Sequence, residues 1–190
     1  MEIERKFLIN IDAFDLSKHD YVEIQQAYIS TSPVIRVRKK ASFFAKGNEN
    51  TVQEYILTVK SKGMLSRQEF ELELTNNDYN NLLAKAEGNV ITKRRYIIPL
   101  ENGLILELDF FKDLFQGLVM GEIEFPDEDT AKKYNLPDFI IREVTFDKRY
   151  HNSNMSTMPQ EEISDLIVLS HWYHSIGHKM NRDKYCYHTY

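Results

Sequence analysis

Charged side chains alternate with apolar ones in seven strand-like segments, and this alternation limits the possible folds more than any other feature of the sequence. In the first segment, Glu2, Glu4 and Lys6 would share one face of an extended strand, with Ile3 and Phe7 on the other. One such segment is typical of a half-buried strand whose charges face water. Its recurrence through the chain requires a further explanation.

Six more segments repeat the alternation, with acidic and basic residues in comparable numbers. Their charged or polar positions are Arg36 and Arg38; Thr58 and Lys60; Arg67, Glu69, Glu71 and Glu73; Lys93 and Arg95; Glu107 and Asp109; and Glu122 and Glu124. If these strands close into a barrel, the charges either face water around an apolar lumen or face inward around a polar tunnel. Helices would then cover the apolar outside, and helical patterns elsewhere in the chain favour this second arrangement.

Turn signals divide the chain between these strands. Clusters of Ser, Pro, Gly and Asn predict three hairpin turns and one exposed loop, and a segment that begins at Arg142 is expected to form a last strand. The hairpin turns are expected at 30–33, 61–64 and 101–103, the exposed loop at 41–52 and the last strand at 142–146.

Three segments have helical patterns. We expect helices at 78–86, 127–134 and 160–178. Asn76 or Asn77 would cap the first and Gly88 would stop it. Thr157 and Gln160 resemble a capping box before the third, an amphipathic helix that would cover the outside of the sheet.

Composition narrows the class of protein. A chain of 190 residues is most simply one domain with a real core. A net charge of -5 argues against general nucleic-acid binding. No apolar run is long enough for a membrane span, and no signal peptide precedes the first strand. Cys186 is the only cysteine, so no intrachain disulfide can form, and a cytoplasmic location is expected.

A tunnel lined with both signs of charge predicts a particular kind of ligand. Buried Lys and Arg are costly unless an anion pairs with them, and both bind phosphate oxygens well. Clustered carboxylates repel one another unless a hard divalent cation lies between them. The combination therefore indicates a polyphosphate complexed with Mg²⁺. The chain contains no Gly-rich phosphate-binding loop, so side chains must hold the phosphates.

These residues also resemble the CYTH superfamily, the triphosphate tunnel metalloenzymes, from residue 1 to about 155. The family hallmark Glu-x-Glu-x-Lys corresponds to Glu2-Ile3-Glu4-Arg5-Lys6. Further matching stretches are Gln26-Ala27-Tyr28-Ile29, Arg36-Val37-Arg38, Leu57-Thr58-Val59-Lys60-Ser61, Ser66-Arg67-Gln68-Glu69-Phe70-Glu71, Thr92-Lys93-Arg94-Arg95-Tyr96, Leu106-Glu107-Leu108-Asp109, Gly121-Glu122-Ile123-Glu124-Phe125 and residues 143–150.

The resemblance implies a mainly β (α+β) fold, an eight-stranded antiparallel closed barrel with a charged interior, outer helices and a C-terminal helix. It also implies Mg²⁺- or Mn²⁺-dependent hydrolysis of a triphosphate, most simply inorganic triphosphate. The metal ligands would be Glu2, Glu4, Glu122 and Glu124, with Asp109 supporting the metal or a basic neighbour. The phosphate-binding residues would be Lys6, Arg36, Arg38, Lys60, Lys93 and Arg95. Glu69 or Glu71 would orient the attacking water, and Lys6 would take part in catalysis.

Other residues have plainer interpretations. Glu107 is expected to be a structural partner of an interior Arg, and Tyr28 a packed aromatic that could touch substrate. Lys148 and Arg149 would lie on opposite faces of an extended chain, and alternation alone does not decide which of them enters the tunnel. Histidines 171, 174 and 178 share a helical stripe but are expected to form a polar face, not a metal site. Cys186 has no base nearby in sequence and is not expected to be a nucleophile.

The sequence departs from the compact family pattern in the loop after Arg38 and in an extension beyond the usual end. We therefore expect a tunnel domain at 1–155 and a helical extension at 156–190 that packs on the barrel or caps it. Alternatives are a nucleoside or thiamine triphosphatase, a class IV-type adenylyl cyclase, and a module that binds polyphosphate without turnover. Pro33-Val34-Ile35 stands where the cyclases carry His-Phe, which disfavours the cyclase. The expected assembly is a monomer or a homodimer.

Overall fold

A computed structural model describes residues 2–44, 52–61, 66–101 and 103–177. In this part of the chain, ten β-strands and four α-helices form an antiparallel sheet structure with helices outside. The strands are β1 (Glu2–Ile9), β2 (Tyr21–Thr31), β3 (Val34–Phe43), β4 (Val52–Lys60), β5 (Ser66–Arg67), β6 (Glu69–Glu73), β7 (Ile91–Pro99), β8 (Ile105–Phe111), β9 (Val119–Glu124) and β10 (Ile140–Glu143). The helices are α1 (Asn76–Leu83), α2 (Glu128–Lys133), α3 (Asn152–Met155) and α4 (Gln160–Gly177).

The sheet confirms the predicted mainly β, antiparallel architecture but not the eight-stranded closed barrel. Nine strands form an open path in the order β10-β1-β9-β8-β7-β2-β3-β4-β6, and β5 pairs separately with β1. The extra strand β10 pairs with the end of β1, at Phe7 to Ile9. Gln68 separates the two-residue β5 from β6, so the predicted strand at 67–74 is interrupted.

Alternation along the strands divides the sheet into two faces, as strand geometry requires. On β1, Glu4 and Lys6 point to the inner face, where the cavity described below lies. Ile3 and Phe7 point outward into a buried apolar cluster. This arrangement puts the charged positions inside and the apolar positions under the helices.

Helices cover the outer face. Tyr79 of α1 packs on Ala27 and Val37, and Ala131 of α2 packs in the cluster around β1, β8 and β9. Together these helices bury the apolar face that would otherwise be exposed to water.

One end of the inner face is apolar instead of charged. The series Glu2, Glu4, Lys6 on β1 continues with Leu8, and Glu124, Glu122 on β9 continues with Met120. Leu8 and Met120 belong to a buried cluster that Met155 of α3 and Ile163 and Leu166 of α4 complete. We call this cluster the apolar end of the sheet.

Several predicted element boundaries were wrong by a few residues. Helix α1 starts at Asn76 because Thr75, not Asn76 or Asn77, is its N-cap and accepts from the Asp78 amide. It ends before Gly88, whose φ is +81°. Thr157 was predicted to begin a capping box before α4, but its hydroxyl donates to the Asn154 carbonyl oxygen, which precedes it in the chain.

Two of the remaining predicted segments agree closely with the structure. Helices α2 and α4 agree with prediction to within one residue, and the last strand starts two residues early and ends at Glu143. Most of the predicted loop 41–52 and of the turn 61–64, and Cys186, lie outside the described residues. Of the helices in the described ranges, none combines the length and apolar character that a bilayer crossing requires.

Candidate functional site: a cavity lined by paired charges

The inner face of the sheet encloses a cavity of about 380 Å³. Every predicted site residue except Lys93 and Asp109 lines it. The strands bring together side chains that are up to 122 positions apart in sequence, from Glu2 to Glu124. The volume is within the usual range for a small-molecule site.

Lys6 lies between two carboxylates on neighbouring strands. Its Nζ is 3.0 Å from Glu4 Oε1 and donates a hydrogen bond to Glu122. Burial alone would lower the pKa of the Lys6 ammonium, but the charges and hydrogen bonds of Glu122 and Glu4 raise it. Lys6 is therefore a fixed cation at neutral pH.

Arg95 is the centre of a buried ion network. Its Nε and Nη2 each lie 2.7 Å from the carboxylate of Asp109, and it also pairs with Glu107 and Glu122. The fully buried Lys93 donates to the same Asp109 carboxylate. Burial and the nearby Arg95 charge lower the pKa of Lys93 to about 8.

This geometry favours one of the two roles predicted for Asp109, the support of basic neighbours. Both of its oxygens accept from cations, and the side chain has no exposed surface. Lys93 lies beneath the cavity wall with it, whereas Arg95 reaches the cavity. Glu107 is a partner of Arg95, in agreement with its plainer interpretation, and it also lines the cavity.

On the opposite wall, Arg36 is held by polar groups of β4 and β6. Its Nη2 donates to Thr58 Oγ1 at 2.9 Å and lies 3.4 Å from Glu69 Oε1. Thr58 in turn donates to Glu71 at 3.1 Å. Arg36 Nε is buried and has no hydrogen-bond partner among the described residues.

Lys60 joins β6, at one end of the sheet path, to β1, which is next to the strand at the other end. Its Nζ lies 2.7 Å from Glu2 on β1 and 2.7 Å from Glu69 on β6. Burial would raise the pKa of Glu69, but hydrogen bonding with Glu2 and Lys60 and the attraction of Lys60 and Arg36 lower it. Glu69 is thus ionised at neutral pH and able to accept a hydrogen bond.

Arg38 is a cation in the cavity wall that no described carboxylate neutralises by an ion pair. Its Nε donates to the neutral Gln26 amide at 3.2 Å. Burial and the charges of Arg36 and Arg95 lower the pKa of Arg38 to about 10. A positive charge in such surroundings favours an anionic ligand.

Carboxylates accumulate at the other side of the cavity. Glu124 stands opposite Glu4 in the β1–β9 register. Burial and the charges of Glu2, Glu107 and Glu4 raise the pKa of Glu124. Bound divalent cations relieve this kind of repulsion, and carboxylate oxygens suit Mg²⁺ and Mn²⁺.

The carboxylates are not preassembled around a metal position. Within the described ranges, no three His, Cys, Asp or Glu side chains are gathered closely enough to hold an ion. Glu4 and Glu122 are engaged by Lys6 instead. Carboxylate oxygens are suitable ligands for a hard cation. To bind one, Glu4 and Glu122 would have to release Lys6 and turn to the metal ion.

Three polar lining residues, His151, Asn152 and Ser153, were not predicted from the sequence. They follow the last strand, so no charge alternation marks them. Neither Lys148 nor Arg149 lines the cavity, against the expectation that one would enter it, and Arg149 pairs with Asp147 at 2.6 Å.

Tyr28 and the histidines of α4 were given plainer interpretations, and the structure describes part of each. Tyr28 both lines the cavity and packs in the apolar end. The His171 ring contacts the Gly117 carbonyl oxygen at 2.9 Å. The side chains of histidines 174 and 178 lie outside the described part of the chain.

Comparison with known proteins gives consistent matches over most of the chain. The CYTH domain family matches residues 1–160. An inorganic triphosphatase of Nitrosomonas europaea is 35% identical over 158 residues, which is 82% of this chain and 96% of that protein. An inorganic triphosphatase of Acetivibrio thermocellus is 38% identical over 167 residues, 86% of this chain and 98% of that protein. The crystal structure of the inorganic triphosphatase NE1496 superposes with a TM-score of 0.59 at 31% identity, covering 84% of this chain and 96% of that one.

Proposed function

This chain belongs to the CYTH domain family, and we propose that it is a divalent-metal-dependent triphosphatase that acts on inorganic triphosphate. The observation that carries the proposal is the cavity, where Lys6, Arg36, Arg38, Lys60 and Arg95 face one space. Relatives named inorganic triphosphatases, at 35% and 38% identity over most of the chain, support the substrate.

The basic residues would hold the phosphates from two sides. Arg36 and Arg38 on β3 and Lys60 on β4 form one wall, and Lys6 and Arg95 form the other. Lys93 would act from beneath, since Asp109 links it to Arg95. Asp109, Glu107 and Glu122 together accept from four of the five Arg95 N–H groups, so the guanidinium is oriented before substrate arrives and one N–H, on Nη1, is left for a phosphate oxygen.

Glu2, Glu4, Glu122 and Glu124 would hold the metal, with Mg²⁺ or Mn²⁺ as the expected ion. When bound, the cation would polarise a phosphoryl oxygen and offset the charge that develops there. The like-charge pair Glu4 and Glu124 supports this assignment, because a cation bound between them would remove their mutual repulsion. Release of Lys6 from Glu4 would make its ammonium available to a phosphate.

Glu69 would orient the attacking water, with Glu71 beside it. The lowered pKa of Glu69 keeps it an acceptor at neutral pH. The water oxygen would attack the terminal phosphorus as the bond to the bridging oxygen breaks, giving phosphate and pyrophosphate, and the water proton would pass to solvent or product.

The proposal extends to the shape of the site. We propose that β5 and β6 act as one strand interrupted at Gln68, so that the sheet encloses an eight-stranded tunnel with β10 added at its edge. Pairing of β5 with β1 and of β6 with β4 supports this closure.

We further propose that residues 1–155 form the catalytic domain and 156–190 an extension packed against it. Burial of Ile163 and Leu166 in the apolar end supports the packing. A monomer or homodimer and a cytoplasmic location remain predictions.

Phosphate release from tripolyphosphate, ATP and thiamine triphosphate, each with Mg²⁺ and with a chelator, tests the function. Turnover of tripolyphosphate that needs the metal is expected to exceed that of the other two. Binding without release would favour a non-catalytic module, and cyclic AMP formation would favour a cyclase. Glu4→Gln should abolish metal-dependent turnover while the fold stays intact, and full activity in that variant would remove Glu4 from the metal site.

A further inference from the structure

The cavity ends blindly where the apolar end of the sheet begins. Leu8 and Met120 replace charged residues on the inner face, and neither has any exposed surface. Tyr150, Met155 and Ile163 pack against them in the same buried cluster. A polyphosphate chain cannot pass through packed hydrocarbon, so one end of any ligand must stop here.

Three polar residues, His151, Asn152 and Ser153, lie between the apolar end and the basic wall. They line the cavity together with Val34 and Arg36. We call these three residues the polar step.

The polar step is held in place from two sides. His151 Nε2 contacts the Thr145 carbonyl oxygen at 2.8 Å, and Thr145 Oγ1 accepts from the Lys6 amide at 3.0 Å. The Asn89 side chain donates to two carbonyl oxygens just after the step, Met155 at 3.0 Å and Met158 at 2.8 Å. The segment is therefore fixed relative to β1 and to the loop after α1.

Close to the polar step, the backbone of Gly88 packs directly against the backbone of Ser156. A Cβ there would collide with the Ser156 carbonyl oxygen, and the φ of +81° also requires glycine. The backbone N–H of Asn89 donates to the same Ser156 oxygen at 2.6 Å. Gly88 and Asn89 thus form a seat for the residues that follow the polar step.

Two buried polar atoms on this part of the cavity have no partner among the described residues: Asn152 Oδ1 and Arg36 Nε. Buried polar groups are normally hydrogen-bonded, and an exception at a cavity wall indicates a missing ligand or water. The carboxamide can turn by half a rotation to present its N–H₂ to a phosphate oxygen, since its two ends are assigned from their surroundings.

We infer that Asn152 is a substrate-binding residue that contacts the phosphate at the blind end, next to Arg36. The phosphate that lies there carries no substituent, because the apolar end leaves no room beyond it. The site therefore takes triphosphates that have at least one unsubstituted end. This inference rests on the proposed function, because it assumes that the cavity binds a triphosphate.

A pair of isosteric variants on α3 tests the inference. Asn152→Asp adds a negative charge beside the phosphate, and Asn154→Asp adds the same charge two residues away, at an exposed position that does not line the cavity. With Mg²⁺ and tripolyphosphate, kcat/KM should fall at least about tenfold for Asn152→Asp and stay within about twofold of wild type for Asn154→Asp. Equal kcat/KM values in the two variants would overturn the role of Asn152.

Controls separate this result from misfolding and from failure of the proposed function. The thermal midpoint of Asn152→Asp should match wild type, whereas that of Asn154→Asp should be slightly lower, because Asn154 Nδ2 donates to the Lys148 carbonyl oxygen at 2.8 Å. Asn152→Ala, which removes an amide oxygen without a partner among the described residues, is a neutral second variant whose kcat/KM should fall less than that of Asn152→Asp. Diadenosine tetraphosphate, which has no free end, should not compete with tripolyphosphate, and tight competition would overturn the blind end. Absence of tripolyphosphate turnover by the wild-type protein would overturn the proposed function itself.

Discussion

Glu4 and Glu124 stand directly opposite each other in the register of β1 and β9, with both side chains on the same cavity. Like charges in directly opposed positions destabilise a sheet. Glu124→Gln is therefore expected to raise the thermal midpoint in chelator, by the equivalent of up to about 1 kcal/mol. Mg²⁺ should raise the thermal midpoint of the wild-type protein. Most of this increase should be absent from the variant, because one metal ligand is gone.

Glu54→Gln is the matched control for this experiment, because Glu54 does not line the cavity and its side chain is 48% exposed, 3.9 Å from Lys40. Its midpoint should respond to Mg²⁺ as wild type does. If Glu124→Gln keeps the full response to Mg²⁺, Glu124 does not bind the metal.

Asp109→Asn should be among the most destabilising single changes in the site. It leaves Lys93 and Arg95 buried beside a neutral amide, and removing one partner of a buried pair costs about 3–5 kcal/mol. Glu107→Gln removes a more exposed partner of Arg95 and should cost about 1 kcal/mol or less. Urea unfolding measures both losses, and equal losses would show that Asp109 does not stabilise the network more than Glu107 does.

The pH dependence of stability should report on Lys93. Its pKa falls from 10.5 to about 8 on folding, so the unfolded chain binds more protons between these values. The free energy of unfolding contributed by Lys93 therefore rises as pH increases from about 8 to 10.5. The difference in stability between wild type and Lys93→Met should shift in favour of wild type over this range, and a pH-independent difference would contradict the lowered pKa.

Arg38→Gln should separate ligand binding from stability. Since no described carboxylate pairs with Arg38, the substitution should leave the thermal midpoint of the free protein unchanged or higher. Tripolyphosphate binding, measured by calorimetry in chelator, should weaken by about ten- to a hundredfold. Arg94→Gln, on the outer face of β7 and paired with Glu23, is the control and should bind as wild type does.

Leu166→Ala tests whether α4 belongs to the core. Leu166 is 2% exposed in the apolar end, so the truncation should cost about 2–5 kcal/mol. Val168 is 66% exposed on the same helix, and Val168→Ala should change stability by about 0.5 kcal/mol or less. Chemical denaturation of the two variants measures the difference. A loss for Leu166→Ala as small as that for Val168→Ala would mean that the helix is not docked in solution.

Much of the site could be predicted from alternation alone. A side-chain period of two puts Glu2, Glu4 and Lys6 on one face whatever the strand order, and Arg36 with Arg38 likewise. The sequence therefore predicted the lining of the cavity without knowledge of the topology.

Alternation could not predict which charge lies deepest. Asp109 and Glu107 share one face of β8, yet Asp109 is fully buried beneath two cations while Glu107 reaches the cavity. That difference depends on the packing of β7 against β8. Similarly, Asn152 follows no strand period, and the segment that carries it is held by the hydrogen bond from the Asn89 side chain to the Met155 carbonyl oxygen, 66 residues away.

The position of β1 has a consequence for how the molecule is made. Arg5 pairs with Glu143 across 138 residues, and β1 finds its neighbours in β9 and β10. During synthesis, Glu4 and Lys6 leave the ribosome long before the strands that must hold them. Such long-range pairing is slow to form, so the reactive centre is completed only after nearly all of the sheet has been translated, and a chain stalled before β9 has no means of assembling it.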